Sequence, residues 1–226
     1  MYKLLEMAKN KLRKFSEMDT FKNVVQTKST FLDQDIDLKG RWNKDFFKNN
    51  NPIVIELGCG KGEYSVGLAE RYPEKNFIGI DIKGSRIWQG ASYALDRGMS
   101  NVGFLRIMIE HIEKCFSASE VSEIWITFPD PQIKKKRSKK RLTHPQFLNK
   151  YSKMLSKGGL IHLKTDSKFL FNYTIDIIKQ ENCQLIDSTD DIYNDDNIRE
   201  NMDILTYYEK KFLEEGSSIT YIKFKI

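Results

Sequence analysis

Two short stretches carry the residues that could do chemistry. The first is Glu56-Leu57-Gly58-Cys59-Gly60-Lys61-Gly62, with an acid, Asp81, 23 residues after Gly58. Glycines at a strand-to-helix turn let a ligand approach the backbone, because no side chain intervenes. A helix start then faces that ligand. Asp81, at the end of the next strand, can accept hydrogen bonds from the two hydroxyls of a ribose. The second stretch is Phe128-Pro129-Asp130-Pro131, followed by eight residues of which seven are Lys or Arg, Lys134 to Arg141. Two prolines stiffen the turn around one carboxylate.

The ligand of the first stretch follows from its charges. A dinucleotide site is G-x-G-x-x-G, whereas this loop is G-x-G-x-G with Glu56 just before it. A carboxylate there repels a pyrophosphate and suits a cationic amino-acid group. S-adenosylmethionine carries an ammonium and a sulfonium and no phosphate, so it fits better than NAD. Glu56, Gly58, Gly60 and Asp81 are the expected cofactor contacts. After the third strand, Glu110 is the acid available near the adenine; its other reading is a solvated helix start.

The basic run outweighs the whole formal net charge of +6, made from 37 basic and 31 acidic residues. A local cationic patch on a near-neutral body points to one polyanion-binding face. Directly after a catalytic turn, a nucleic acid explains it best, and affinity should fall steeply with salt. A solvated charged loop is the alternative. Asp130 is either the group held at the reacting methyl, touching cofactor and acceptor, or a turn aspartate bonded to its own loop. Asp166, in Thr165-Asp166-Ser167, is either a carboxylate facing the substrate or a helix cap.

The elements that position these residues alternate from Pro52 onward. Apolar strands are expected at Ile53–Leu57, Asn76–Asp81, Val102–Ile107, Ser122–Phe128 and Leu160–Lys164. Helices fit at Glu63–Arg71, Ser85–Arg97, Pro145–Leu155 and Ser167–Gln180. This alternation predicts an α/β fold with a parallel sheet covered on both faces. Cys183–Ser188 and Ile219–Ile226 read as strands that could pair antiparallel at the sheet edge. Residues 1–50 read as a basic, partly helical N-terminal extension and 51–226 as the main domain. Leu4, Leu5, Ala8, Leu12 and Phe15 have helical spacing; residues 16–50 look like an irregular lead-in.

The chain has 226 residues, 40% of them hydrophobic, an ordinary globular composition. No apolar run is long enough to span a membrane. Three scattered cysteines and three histidines lack disulfide or metal-site spacing, so a reduced, cytoplasmic protein without metal is expected. His162, inside a strand, reads as a packed core residue.

The set E-L-G-C-G-K-G from Glu56, G-I-D ending at Asp81, F-P-D-P from Phe128, K-T-D ending at Asp166 and T-Y-Y-E from Thr206 resembles the bacterial tRNA (guanine-N7)-methyltransferases, which modify guanine-46 in the variable region of tRNA. The resemblance spans about residues 50–226 and implies a Rossmann-like class I S-adenosylmethionine-dependent methyltransferase fold. It implies cofactor binding by Glu56 and Asp81 and an active-site place for Asp130. It implies substrate contacts at Lys134, Asp166, Thr206, Tyr207, Tyr208 and Glu209. RNA binding falls to Lys135, Lys136, Arg137, Lys139, Lys140 and Arg141. Glu209 would receive the N1 and N2 donors of guanine. The chain departs from the family at Gln132, where many members have Trp, and at Met108, where many have Asp or Asn. The expected partner is tRNA, with the protein a monomer or homodimer. The competing readings are a small-molecule methyltransferase, whose activity would ignore salt, and a non-catalytic RNA-binding module, which would not bind the cofactor.

Overall fold

The computed structural model describes residues 12–27, 29–195 and 201–226. Eight strands form one sheet: β1 (Val24–Gln26), β2 (Ile53–Leu57), β3 (Asn76–Asp81), β4 (Val102–Arg106), β5 (Val121–Thr127), β6 (Leu155–Thr165), β7 (Gln184–Thr189) and β8 (Thr220–Lys225). Their order is β1-β4-β3-β2-β5-β6-β8-β7. β1 to β6 run parallel; β8 pairs antiparallel with both β6 and β7. The expected α/β architecture and its antiparallel edge pair are therefore present.

β2 and β3 are buried at every position. That is the pattern of strands covered on both faces, and it explains their unbroken apolar runs. Helix α1 (Glu63–Arg71) and α2 (Gly84–Asp96) cover one face, together with a helical segment over residues 12–18. α2 turns Ile87, Ala91 and Ala94 inward at helical spacing, and small residues let it lie close to the sheet. The other face is covered by α3 (Pro145–Ser152) and α4 (Lys168–Gln180), with 3-10 turns at Ile109–Lys114. A last helix, α5 (Tyr207–Glu214), precedes β8.

The lead-in differs from the expectation of an irregular segment. Its Val24–Gln26 pairs in parallel with β4 and extends the sheet by a strand. Trp42 is fully buried, stacks on Phe116 and donates from Nε1 to the Cys115 carbonyl at 2.9 Å. Residues 42–47 form a π-helical turn that also buries Phe47. Of the expected N-terminal amphipathic helix, Leu4, Leu5 and Ala8 lie outside the described residues.

The strand order fixes the crevice. From β2 the chain proceeds to β3 and β4 on one side, and later to β5 and β6 on the other. In such a sheet the ligand crevice opens at the carboxyl ends beside this switch point. The glycine loop follows β2, Asp81 ends β3, the proline turn follows β5, and Asp166 follows β6. All four lie at the carboxyl ends of neighbouring parallel strands.

Candidate active site

The glycine loop is closed by backbone bonds. The Gly58 and Cys59 amides both donate to the Ile80 carbonyl, at 2.8 and 3.0 Å. Gly58 and Gly60 have φ of +79° and +55°, the left-handed region that favours glycine. A Cβ built on Gly58 would meet nothing within 4 Å, and one on Gly60 only the Gly58 carbonyl, at 4.0 Å. The loop therefore presents bare backbone to open space. Asp81 is buried and fixed: its Oδ2 accepts from the Gly60 amide at 2.9 Å, and its Oδ1 from the Lys83 amide at 2.8 Å. Each oxygen keeps acceptor capacity for a ligand hydroxyl. Bare backbone beside a rigid carboxylate fits the nucleoside part of S-adenosylmethionine.

Glu56 lies deeper. Its Oε2 accepts from the amide and hydroxyl of Ser65 in α1, and its Oε1 from the Thr127 hydroxyl in β5. Burial pushes its carboxyl up to about 7, against the lowering effect of those bonds. Nearby Asp81 adds a smaller push in the same direction. A buried acid beneath the loop supplies negative potential once ionised, as a cationic ligand requires. The bonds themselves tie β2, α1 and β5 together just under the crevice.

The proline turn begins with strain. Phe128 has φ of +46°, unusual for a bulky residue, while its amide donates to the Lys164 carbonyl at 2.8 Å. Its ring packs 5.8 Å from that of Phe212 in α5. Asp130 is exposed, and its Oδ1 accepts from the Gln132 amide at 2.9 Å. The turn reading of Asp130 is thus realised through Oδ1, on an exposed side chain. Gln132 also has positive φ, +47°.

The basic run is a 3-10 helix, Lys135–Lys140, entered from Lys134. Lys134, Lys135, Lys136, Arg137, Lys139 and Lys140 are exposed. Arg141 is not. Its buried guanidinium donates to the Gln132 carbonyl at 3.1 and 3.3 Å and to that of Ile133 at 3.4 Å. It also lies over the rings of Phe169 and Tyr173. Arg141 therefore fastens the loop to α4, and this separates it from the other RNA-facing cations of the sequence reading.

Two further carboxylates, Asp166 after β6 and Glu209 in α5, have different surroundings. Asp166 is half-buried, and burial, with a contribution from Glu215, raises its pKa. It does not cap α4: the Ser167 hydroxyl does, accepting from the Leu170 amide. Glu209 is fully enclosed. Its Oε1 lies 2.7 Å from Lys164 Nζ and accepts from the Tyr193 hydroxyl at 2.8 Å. In this conformation a guanine cannot reach it. What it does is anchor α5, whose N-terminus is capped by the Thr206 hydroxyl on the Glu209 amide. Tyr207 and Tyr208 remain exposed: Lys61 lies 3.8 Å over the first ring, and Arg86 lies over the second. The Tyr207 amide donates to Glu63 at 2.9 Å, so α5 is attached to the glycine loop's own helix.

Glu110 sits in the first turn of the 3-10 segment after β4, half-exposed, with its backbone carbonyl accepting from Lys150. Met108 precedes it, its amide donating to the Thr30 carbonyl. His162 is a core residue: it stacks on Trp125 at 4.0 Å and bonds the Tyr221 hydroxyl through Nδ1. Its Nε2 lies 3.2 Å from Glu123, and burial lowers its pKa, which favours a neutral ring. Among the described residues no group of His, Cys, Asp and Glu could hold a metal ion, and no helix is long and apolar enough to cross a membrane. Sequence reasoning missed Ser65, Thr127, Lys164 and Tyr193. Each bonds a carboxylate of another element, a relation with no local signature.

Residues 50–222 match the family model described as "Putative methyltransferase". The chain is 53% identical to the tRNA (guanine-N(7)-)-methyltransferase of Christiangramia forsetii, over 97% of this chain and 99% of that one. It is 50% identical to the protein of the same name from Bacteroides fragilis, over 96% and 86%. Among solved structures, an antibiotic-related methyltransferase superposes with a TM-score of 0.61 at 17% identity, covering 89% of this chain and 99% of its own. The 16S rRNA methyltransferase KamB gives 0.60 at 14% identity, over 78% and 88%; these likenesses concern the fold. The extent and identity of the sequence matches decide the matter: the chain belongs to the tRNA (guanine-N(7)-)-methyltransferase family.

Proposed function

We propose that the protein transfers a methyl group from S-adenosylmethionine to N7 of a guanine in tRNA, the guanine at position 46. The observation that carries this reading is the adjacency of two loops. The bare glycine turn with Asp81, after β2 and β3, stands beside the Asp130 turn and its exposed basic helix, after β5. When bound, S-adenosylmethionine supplies an electrophilic methyl. Asp81 would hold the ribose hydroxyls and Gly58 and Gly60 would pass under the amino-acid part, while ionised Glu56 balances its positive charge from below. Glu110, in the 3-10 segment after β4, would meet the adenine end.

Guanine N7 carries a free lone pair and needs no base before it attacks. Positioning therefore supplies much of the rate. The product base is cationic, and carboxylates near N7 stabilise the charge as it develops. Asp130 and, beyond the end of the neighbouring strand, Asp166 would supply that negative charge. Exposed Tyr207 and Tyr208 offer ring faces to a base, held there by the Glu209 anchor. Lys134 borders the acceptor, and Lys135, Lys136, Arg137, Lys139 and Lys140 take RNA phosphates.

The test is methyl transfer to unmodified tRNA transcripts, followed by chemical cleavage at 7-methylguanosine. Label on N7 at position 46 is expected. Label on guanine N1 or N2 would overturn the site chemistry, and activity indifferent to salt would favour a small-molecule substrate.

A further inference from the structure

The basic 3-10 helix does not stand alone on the surface. Between it and α4 lies a cavity of about 400 Å3, lined by Ile133, Lys135, Arg141, Phe169, Tyr173 and Asp176 among others. Its apolar parts are unusually open: Ile133 is 68% exposed and Phe169 42%. Arg141 is already committed, its guanidinium 4.7 Å over Phe169 and 4.4 Å over Tyr173, with its donors on the loop carbonyls. The Phe169 ring is therefore held rigidly from one side.

We propose that this cavity is a second base-binding subsite, which takes an unstacked nucleotide of the tRNA next to the target guanine. The proposal rests on the tRNA methyltransferase reading above. Four observations carry it. Phe169 lies three residues after Asp166, at the start of α4, so the cavity adjoins the proposed acceptor site. The size suits one nucleoside, at the lower end of the small-ligand range of about 300 Å3 upward. Its rim carries the exposed Lys135 for a phosphate and the exposed Asp176 as an acceptor for a base amino group. An exposed ring already backed by a guanidinium is a stacking platform of the kind that binds single-stranded bases with little regard to sequence.

The experiment compares Phe169→Ala, Phe169→Leu and Phe169→Trp in the full chain, with an unmodified tRNA transcript as ligand. Affinity should fall about 10-fold or more in Phe169→Ala, in line with loss of one stacked base. It should remain reduced in Phe169→Leu, which keeps apolar packing on Arg141 but has no ring. Phe169→Trp should restore it, and its fluorescence should be quenched on RNA binding. The salt dependence of binding should keep its slope in all three, because no phosphate contact is removed. S-adenosylmethionine affinity serves as the control for folding and should not change. Equal tRNA affinity of the Leu and Trp variants, or no quenching in Phe169→Trp, would overturn the subsite. Wild-type protein that neither binds nor methylates tRNA would instead overturn the functional reading itself.

Discussion

Lys164 Nζ and Glu209 Oε1 stand 2.7 Å apart, and neither side chain has any solvent exposure. Lys164 comes from the carboxyl end of β6 and Glu209 from the first turn of α5. Lys164 also donates to the Met202 carbonyl, and the Tyr193 hydroxyl donates to Glu209. Burial lowers the Lys164 pKa, while Glu209 opposes that shift. Glu209 Oε2 has no hydrogen-bond partner among the described residues. A charge so enclosed depends on its one counter-ion.

Lys164→Met therefore leaves an isolated buried carboxylate and should cost about 3–5 kcal/mol of stability. Replacing both residues with apolar ones of similar volume should recover much of that loss. Thermal or denaturant unfolding of the single and double variants measures it. A single variant as stable as wild type would mean that the pair is not a working ion pair.

Glu56 makes stability and cofactor affinity depend on pH in opposite directions. Its carboxyl is raised from 4.5 to about 7 in the folded chain. Between those values the native state keeps a proton that the unfolded chain has released. The ligand-free protein should thus lose about 3 kcal/mol as pH rises from 4.5 to 7. A cationic ligand over the loop favours the ionised form, so S-adenosylmethionine should bind more tightly as pH rises through 7. Calorimetric titrations across pH 6–8 read this, and Glu56→Gln should flatten the dependence. The same slope in Glu56→Gln would assign the effect to another group.

Asp130→Asn keeps an acceptor for the Gln132 amide and removes only the charge. S-adenosylmethionine affinity should stay within a few fold, while turnover should fall about 100-fold, the scale on which one preorganised electrostatic group acts. Single-turnover methyl transfer separates chemistry from binding. Unchanged turnover would reduce Asp130 to a residue of its turn.

Neutralising Lys134, Lys135 and Lys136 together should weaken tRNA binding and lower the slope of log affinity against log salt by about 2–3. Arg141→Gln should act differently. It unfastens the 3-10 helix from Phe169 and Tyr173, so it should lower the melting temperature with little change in that slope. If Arg141→Gln changed the slope as the lysines do, its guanidinium would be contacting phosphate after all.

The sequence made the centre of the sheet legible because Ile53–Leu57 and Asn76–Asp81 are covered on both faces and can tolerate only apolar residues there. β1 was not legible. Val24 and Val25 are two apolar residues in a polar stretch, and only pairing with β4 makes them a strand. β6 was expected from Leu160, yet it begins at Leu155 and passes through Gly158 and Gly159, the first at φ +78°. Those glycines read as a break because local propensity argues for one; pairing of Val121 with Leu155 overrides it. At the site, the loop and Asp81 were readable from spacing alone. The partners of Glu56 and Glu209 were not, since Thr127, Ser65, Lys164 and Tyr193 reach them from other elements and carry no local signature. Arg141 shows the converse: it belongs to a charge run by sequence and to the interior by packing.

Phe212 in α5 meets Phe128 of the proline turn, while at the other end of the helix Tyr207 is bonded to Glu63 and lies against Lys61 of the glycine loop. One short rod thus spans both halves of the crevice. Neither loop can therefore move without breaking a contact of α5 or carrying the helix with it, which makes the helix a brace between the two.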